Sequence, residues 1–203
     1  MDKIVTQSKL LPGYNTKINK TIQLGADKLG SYALVTTTLE PCIEGATAWS
    51  VVQAPVGNGA FYVRQDTPDC IRLSERDNPF AKGKKIGNTN IYRVERARKD
   101  CNSKAGFDSD LLAIRRGDFL FTLVDRGRYP LDKYRPGEGT QAYVDREESD
   151  NTSKDLESYM ELEFASPFRE DVGADTILKV EWRIIKLKSG ATEEDIAQIL
   201  TDL

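Results

Sequence analysis

The chain has no histidine among its 203 residues. Histidine is the commonest general base, it completes the Ser–His and Cys–His nucleophile systems, and it is a usual ligand of zinc and copper. Its absence excludes these chemistries, so any catalysis would have to use Asp, Glu, Lys, Tyr or Arg. We therefore expect no metal site and no cofactor.

Cysteine is scarce. The three residues are Cys42, Cys70 and Cys101, and an odd number at wide spacing argues against a disulfide framework or a zinc site. Two states remain open. Cys70 and Cys101 form a bridge if the protein is secreted, or all three are reduced and mostly buried thiols.

Long apolar runs and an excess of basic residues are also absent. No segment approaches the roughly 20 apolar residues of a membrane span, and the N-terminus has no apolar run of signal-peptide length. We expect no membrane partner, and a protein that is cytoplasmic, or secreted or periplasmic if a signal peptide was removed. The net charge of −3 lacks the basic balance typical of nucleic-acid binding, so we expect no nucleic-acid partner.

What the chain does contain is a series of β-strand patterns. These segments are short, rich in Val, Ile, Thr and aromatic residues, and bounded by Gly or Pro. They are 20–26, 31–41, 46–55, 60–66, 91–97, a hairpin over 110–126 that turns at 116–118, 158–166 and 176–187. Residues 75–90 and 125–155 are polar and rich in Gly and Asn or in charge, which favours loops.

One helix is predicted, at the C-terminus over about 191–203. Thr192 is its candidate N-cap, with Asp195 three residues later. The apolar stripe consists of Ile196, Ile199, Leu200 and Leu203. Many short strands with one helix predict an all-β fold, an antiparallel β-sandwich or supersandwich, forming a single domain over 1–203.

The strand "YMELEFASP" at 159–167 carries two carboxylates on one face. Strand alternation places Met160, Leu162 and Phe164 in the core, and Glu161 with Glu163 on the opposite side. This acidic pair allows two interpretations. The carboxylates bind sugar hydroxyls or share a proton, or they form a solvated face paired with Arg or Lys of a neighbouring strand.

The loop "RGRYPLDKYR" at 126–135 interleaves basic and aromatic residues. Tyrosines stack on sugars or bases, and arginines bind carboxylates or phosphates. Its candidate ligand-binding residues are Arg128, Tyr129, Lys133 and Tyr134. The alternative is an ordinary exposed loop held by its tyrosines. Trp49 and Trp182 lie in strands with apolar neighbours, which predicts core positions.

Two passages resemble galactose-mutarotase-like supersandwich domains. "ELEFASPFREDVGADTILKVEW" is similar to the end of such domains, where a strand bearing a glutamate precedes a proline, a turn and a long strand. Gly173 matches the family turn, whose usual proline is absent here. "TTTLEPCIEGATAWSVVQAP" is similar to an upstream passage. The resemblance spans about residues 20–187 and is strongest to the uncharacterised bacterial branch.

The resemblance implies a fold and a sugar-facing surface, with the loop "GRYPLDKYRPGEG" crossing the concave face. Sugar epimerases of the family rely on paired histidines and a glutamate base. Glu163 stands where that base would be, relative to Pro167, but no histidine exists to act as the acid. The resemblance therefore argues against mutarotase activity.

We favour a non-catalytic carbohydrate-binding or sugar-recognising module whose ligand is a carbohydrate or a small anion. The alternative is a structural or protein-interaction role in which charged loops meet a protein partner. A weaker alternative is a histidine-free carbohydrate-active enzyme, in which Glu163 alone has an assigned role. The predicted ligand-binding residues are Arg128, Tyr129, Lys133, Tyr134, Glu161 and Glu163.

Overall fold

The computed structural model describes residues 3–11, 15–40, 45–55, 60–65, 67, 69–73, 83–93, 103–144, 159–168 and 176–203. These residues form strands and one α-helix, in the following order. The elements are β1 (Lys3–Gln7), β2 (Lys17–Asp27), β3 (Gly30–Glu40), β4 (Trp49–Pro55), β5 (Ala60–Arg64), β6 (Ile71–Arg72), β7 (Lys84–Ile86), β8 (Thr89–Arg93), β9 (Ser103–Gly106), β10 (Leu111–Arg116), β11 (Phe119–Asp125), β12 (Thr140–Val144), β13 (Tyr159–Ala165), β14 (Thr176–Lys186) and α1 (Glu193–Thr201).

The strands form two sheets in which every described pair is antiparallel. The larger has nine strands in the order β1-β2-β3-β14-β11-β10-β5-β8-β7, and the smaller has five in the order β4-β13-β12-β9-β6. The all-β antiparallel fold predicted from the sequence is confirmed. Antiparallel pairs allow one face of each sheet to be buried while the other is solvated, which agrees with the alternation of the segments.

The two sheets pack face to face around one apolar core. Met160, Leu162 and Phe164 of β13 contribute from the smaller sheet, as predicted, and Leu178 and Val180 of β14 contribute from the larger one. A stacked aromatic pair, Phe61 with Tyr92 at 5.2 Å between ring centroids, adds to the same core. The arrangement is a β-sandwich whose sheets are held together mainly by buried apolar area.

Helix α1 covers part of the outer face of the nine-stranded sheet. Thr192 and Asp195 form a capping box, in which the Thr192 side chain accepts from the Asp195 backbone N–H. Ile196 and Leu200 are fully buried against the sheet, while Ile199 and Leu203 pack at the margin of the same cluster. The predicted helix, its cap and its apolar stripe are confirmed.

The loop predictions are only partly correct. The hairpin of β10 and β11 turns at Gly117 and Asp118 as expected, and Gly117 has a positive φ of 55°. The segment 75–90, however, contains β7 and the start of β8, joined by a turn at Gly87–Asn88. The segment 125–155 contains β12, and β9 was not predicted. These strands are short, so their pairing partners stabilise them more than their own composition does.

Both tryptophan predictions are wrong. Trp49 is 54% exposed because it lies on the outer face of the five-stranded sheet, in phase with Val51 and Gln53. Trp182 is 38% exposed because its strand extends beyond the area that the opposite sheet covers. Cys70 is half-buried beside the core. Cys42 and Cys101 lie outside the described residues, so the Cys70–Cys101 bridge stays a prediction. Among the described helices, none combines the length and apolar character that crossing a bilayer requires.

Candidate functional site

The outer face of the five-stranded sheet carries a row of polar side chains. In the register of the sheet, Glu163 of β13 lies between Val51 of β4 and Gln141 of β12. Glu161, two residues earlier, lies between Gln53 and Tyr143. Because directly opposed residues share a face, both glutamates point away from the core, as the alternation of "YMELEFASP" predicts.

Glu163 is nevertheless buried, with its side chain only 1% exposed. Its Oε2 atom accepts a hydrogen bond from Trp49 Nε1 at 3.0 Å and another from Lys104 Nζ at 2.9 Å. Its Oε1 atom is buried and has no donor among the described residues. Burial raises the pKa of Glu163 above its ordinary value, and the Lys104 and Trp49 hydrogen bonds oppose that rise.

The two glutamates therefore differ. Glu163 has the lysine partner that the solvated-face interpretation expects, from β9 two strands away, but it is not solvated, because side chains of several elements cover it. Glu161 is half-buried, and its Oε1 accepts from Gln53 Nε2 at 2.7 Å. A carboxylate that makes such a hydrogen bond at the surface is typical of an ordinary sheet face. Of the two, only Glu163 has the burial and the incomplete hydrogen bonding of a candidate functional group.

Glu163 lies in the wall of a cavity of about 560 Å³, which we name the glutamate cavity. Its volume falls within the range of small-molecule sites. Besides Glu163, the lining residues are Thr47, Trp49, Leu73, Lys104, Tyr134, Arg135, Glu138, Gln141, Ala165, Ser166, Pro167 and Phe168. A second carboxylate oxygen in this wall, Glu138 Oε2, is also buried without a donor among the described residues.

The loop after β11 forms one side of the glutamate cavity, and two glycines allow its close approach to the sheet. A Cβ atom on Gly106 of β9 would overlap the backbone of Gly137. A Cβ atom on Gly139 would lie 2.6 Å from the Tyr134 ring. The Tyr134 ring therefore packs directly on the backbone, which any larger residue at 139 would prevent. Burial raises the pKa of Tyr134 to about 12.

A second cavity of about 750 Å³ lies near the same loop and contains Arg64, Asp110, Arg128 and Tyr129 in its wall. Arg64 binds Asp110 with two hydrogen bonds of 3.0 and 2.8 Å. Arg128 donates to Ser109 O and to Thr140 Oγ1, and pairs with Asp108 Oδ1 at 3.3 Å. Both guanidinium groups already have carboxylate partners. This second cavity therefore offers a ligand fewer unsatisfied polar groups than the glutamate cavity does.

The six predicted ligand-binding residues thus do not form one site, and they are divided between the two cavities and the surface near them. Glu163 and Tyr134 line the glutamate cavity, whereas Arg128 and Tyr129 line the second cavity. Tyr134 connects the two, since its hydroxyl accepts from Tyr129 N at 3.3 Å and its ring lies 5.2 Å from the Arg128 guanidinium. Glu161 lies beside the glutamate cavity on the same face. Lys133 is exposed and appears in neither lining.

Several residues of the glutamate cavity were not predicted from the sequence. Lys104 lies on β9, whose sequence "SKAG" has no clear strand signal. Trp49 was assigned to the core although it shares the alternation phase of Val51 and Gln53, which places it on the outer face. Arg135, in the predicted loop, stacks on Phe168 with 4.1 Å between the guanidinium and the ring centroid.

The charges in the wall of the glutamate cavity balance. Lys104 and Arg135 supply two positive charges, and Glu138 and Glu163 supply two carboxylates. A neutral ligand rich in hydroxyl groups suits such a wall better than a strongly charged ligand. Within the described ranges, no cluster of three or more Cys, Asp or Glu side chains has an arrangement that could hold a metal ion.

Comparison with known proteins gives one structural similarity. No protein-family model matches the chain, and no curated protein matches it. The chain is similar in structure to a galactose mutarotase-like protein from Lactobacillus casei ATCC 334, with a TM-score of 0.47 and 10% identity, over 90% of this chain and 69% of that chain. The description of that protein names the same family that the two sequence passages resemble.

Proposed function

We propose that the chain is a non-catalytic carbohydrate-binding module and that its ligand occupies the glutamate cavity. The observation that carries this proposal is the buried Glu163 carboxylate, whose Oε1 atom has no donor among the described residues, beside the exposed Trp49 ring. A buried acceptor without a donor is unfavourable by about 1–3 kcal/mol. A ligand that donates a hydrogen bond to this oxygen would recover part of that free energy.

A sugar matches the groups that surround Glu163. Its hydroxyls would donate to the Glu163 and Glu138 carboxylates, and its oxygens would accept from Lys104 and from the amide of Gln141. Its apolar ring face would pack on the exposed Trp49 indole. The Oε1 atom is occluded in the unliganded protein, so we expect the Lys104 and Trp49 side chains to move when a ligand enters.

The weaker enzymatic alternative has one specific observation in its favour. The raised pKa of Glu163 is typical of a proton donor, and Glu138 offers a second carboxylate in the same wall. The ion pair with Lys104 favours the non-catalytic role instead, because Lys104 satisfies the Oε2 atom and stabilises the charged form of Glu163.

The proposal is tested by calorimetric titration of the intact chain with a panel of neutral mono- and disaccharides. We expect one sugar to bind, with affinity falling about ten- to a hundredfold in Trp49→Ala and in Glu163→Gln. Trp182→Ala is the matched control, because Trp182 is the second partly exposed tryptophan and lies on the other sheet. It should bind the sugar as the unmodified chain does.

Three outcomes would contradict the proposal. The first is binding of no sugar in the panel by a chain that melts cooperatively. The second is equal loss of affinity in Trp49→Ala and Trp182→Ala. The third is turnover of the bound sugar that disappears in Glu163→Gln, which would replace the binding module by the enzyme. Capture of a stoichiometric protein partner without sugar binding would favour the interaction role.

A further inference from the structure

The nine-stranded sheet extends past the five-stranded sheet and leaves a strip of its inner face uncovered. Leu24, Ala33, Trp182 and Leu123 are consecutive cross-strand partners on β2, β3, β14 and β11. They share the face of Leu178 and Val180, which pack in the core. The apolar row therefore begins inside the sandwich at Leu123 and ends at the exposed Leu24.

This strip is concave and has walls from both sheets. A cavity of about 640 Å³ lies here, which we name the tryptophan cleft. Trp182, Ile184 and Phe121 contribute to its wall on the larger sheet, and Val52 of β4 contributes from the smaller sheet. A cavity between two rigid sheets is preformed, and its volume lies within the range of small-molecule sites.

Of the charged and hydroxyl-bearing residues in the lining, Arg183, Tyr32 and Thr122 point to the opposite face, and Ser31 shares the face of Ala33. Arg183 alternates with Trp182 and Ile184, and its guanidinium binds Asp27 and Glu181 at 2.5 to 2.8 Å. Tyr32 stacks on that guanidinium at 4.9 Å. The side chains that face the cleft are therefore almost entirely apolar, so the cleft offers dispersion contacts and burial but few hydrogen bonds.

The exposed area is too small for a second copy of the chain. Leu24, Trp182 and Ile184 are 51%, 38% and 58% exposed, and Ile4 and Phe119 on the same face of the sheet are 58% and 44% exposed. For side chains of this size the five amount to on the order of 500 Å² together. A stable protein interface buries about 800 Å² on each partner. An area this small, folded into a concave cleft, fits a compact apolar molecule.

We infer that the tryptophan cleft binds a small apolar ligand with an aliphatic chain. The site is independent of the carbohydrate proposal, because the glutamate cavity lies on the outer face of the five-stranded sheet and the cleft lies against the inner face of the nine-stranded sheet. The ligand covers Leu24, Trp182 and Ile184, and hydrophobic burial supplies the affinity. Affinity rises with the length of the aliphatic chain until the cleft is filled.

The test uses Trp49→Phe, which leaves Trp182 as the single tryptophan of the chain. This variant is titrated with 1-hexanol, 1-octanol and 1-decanol, whose head groups carry no charge. We expect a saturable blue shift of Trp182 emission and a rise in melting temperature, with affinity increasing about tenfold per two added methylenes until the cleft is filled. Leu24→Asn in the same background should weaken decanol binding at least tenfold.

Ile71→Asn is the matched control, because Ile71 is 41% exposed on the five-stranded sheet, away from the cleft. Decanol binding should be unchanged in this variant. The inference is overturned if no alcohol shifts Trp182 emission in saturable fashion, or if Leu24→Asn and Ile71→Asn weaken binding equally. It is also overturned if sedimentation shows that copies of the unliganded chain associate and bury Trp182.

Ala33→Leu, which fills the cleft with an apolar side chain, should fold and should prevent decanol from binding.

Discussion

Replacement of Lys104 by methionine isolates the electrostatics of the glutamate cavity. Lys104 is the one lysine hydrogen-bonded to Glu163 among the described residues, and its side chain is one-third exposed. Methionine keeps the length of the side chain and removes the charge. A hydrogen bond to a charged group contributes about 1.5–3 kcal/mol. Because Lys104 is partly solvated, we expect the lower part of this range, about 1.5–2 kcal/mol of lost stability at pH 7.

The pH dependence of this loss has a defined sign. Burial holds the folded-state pKa of Glu163 above its ordinary value of 4.5. The folded state therefore retains a proton that the unfolded state releases, so the free energy of unfolding falls as pH rises from about 4.5 through the folded-state pKa. Without Lys104 the pKa of Glu163 rises further, because the hydrogen bond that stabilises the charged carboxylate is lost. The decrease in the free energy of unfolding then becomes larger and extends to higher pH.

The measurement compares Lys104→Met with the double variant Lys104→Met/Glu163→Gln by urea denaturation, followed by far-UV circular dichroism from pH 4 to pH 8. The double variant has no buried carboxylate at 163. Their difference in free energy of unfolding should be smallest at pH 4 and should grow as the pH rises toward pH 8. Lys186→Met, which removes an exposed lysine, should change stability by less than about 0.5 kcal/mol throughout. A difference independent of pH would refute the buried-charge reasoning.

Two further predictions concern buried charges elsewhere. Arg183→Met should lower the free energy of unfolding by about 3–5 kcal/mol, because it leaves the buried Glu181 without one of its two arginine partners. Lys84→Met, which breaks an exposed ion pair, should lower it by less than about 1 kcal/mol in the same urea denaturation. Burial raises the pKa of Asp125 from 3.8 to about 6. Asp125→Asn should therefore stabilise the folded chain relative to the unmodified protein. The gain in free energy of unfolding should grow between about pH 4 and pH 6 to on the order of 3 kcal/mol and stay constant above that pH. A stability difference that stays constant from about pH 4 to pH 6 would contradict this assignment.

The strands that could be predicted from sequence are those whose own pattern is sufficient. β13 alternates strictly, the β10–β11 hairpin turns on a glycine, and α1 has a cap and an apolar stripe within a few residues. The missed strands are all short: β1 and β12 have five residues, and β6, β7 and β9 have four or fewer. Their stability depends on partners that composition does not identify, because β-propensity depends on tertiary context.

The candidate site was harder to predict because its residues are distant in the chain. Glu163 is separated in sequence from its hydrogen-bond partners Lys104 and Trp49 by 59 and 114 residues. Local pattern identified Glu163 and Tyr134 separately, but the pairing that buries Glu163 depends on the order and register of the five-stranded sheet. The loop 126–135 was treated as one surface, whereas the Tyr134 ring separates its residues between two cavities. Trp182 was assigned to the core because the strand pattern does not reveal where the opposing sheet ends.

The position of β14 has a consequence for how the protein forms. β14 lies between β3 and β11 in the nine-stranded sheet, although it follows every other strand in the chain. During synthesis, the β2–β3 hairpin and the β10–β11 hairpin cannot join until β14 has been made, so each presents a bare strand edge in the interval. Pairings between segments so far apart are slow to form. We therefore expect completion of the larger sheet to be a late event, and a chain halted before β14 to be prone to aggregation through those edges.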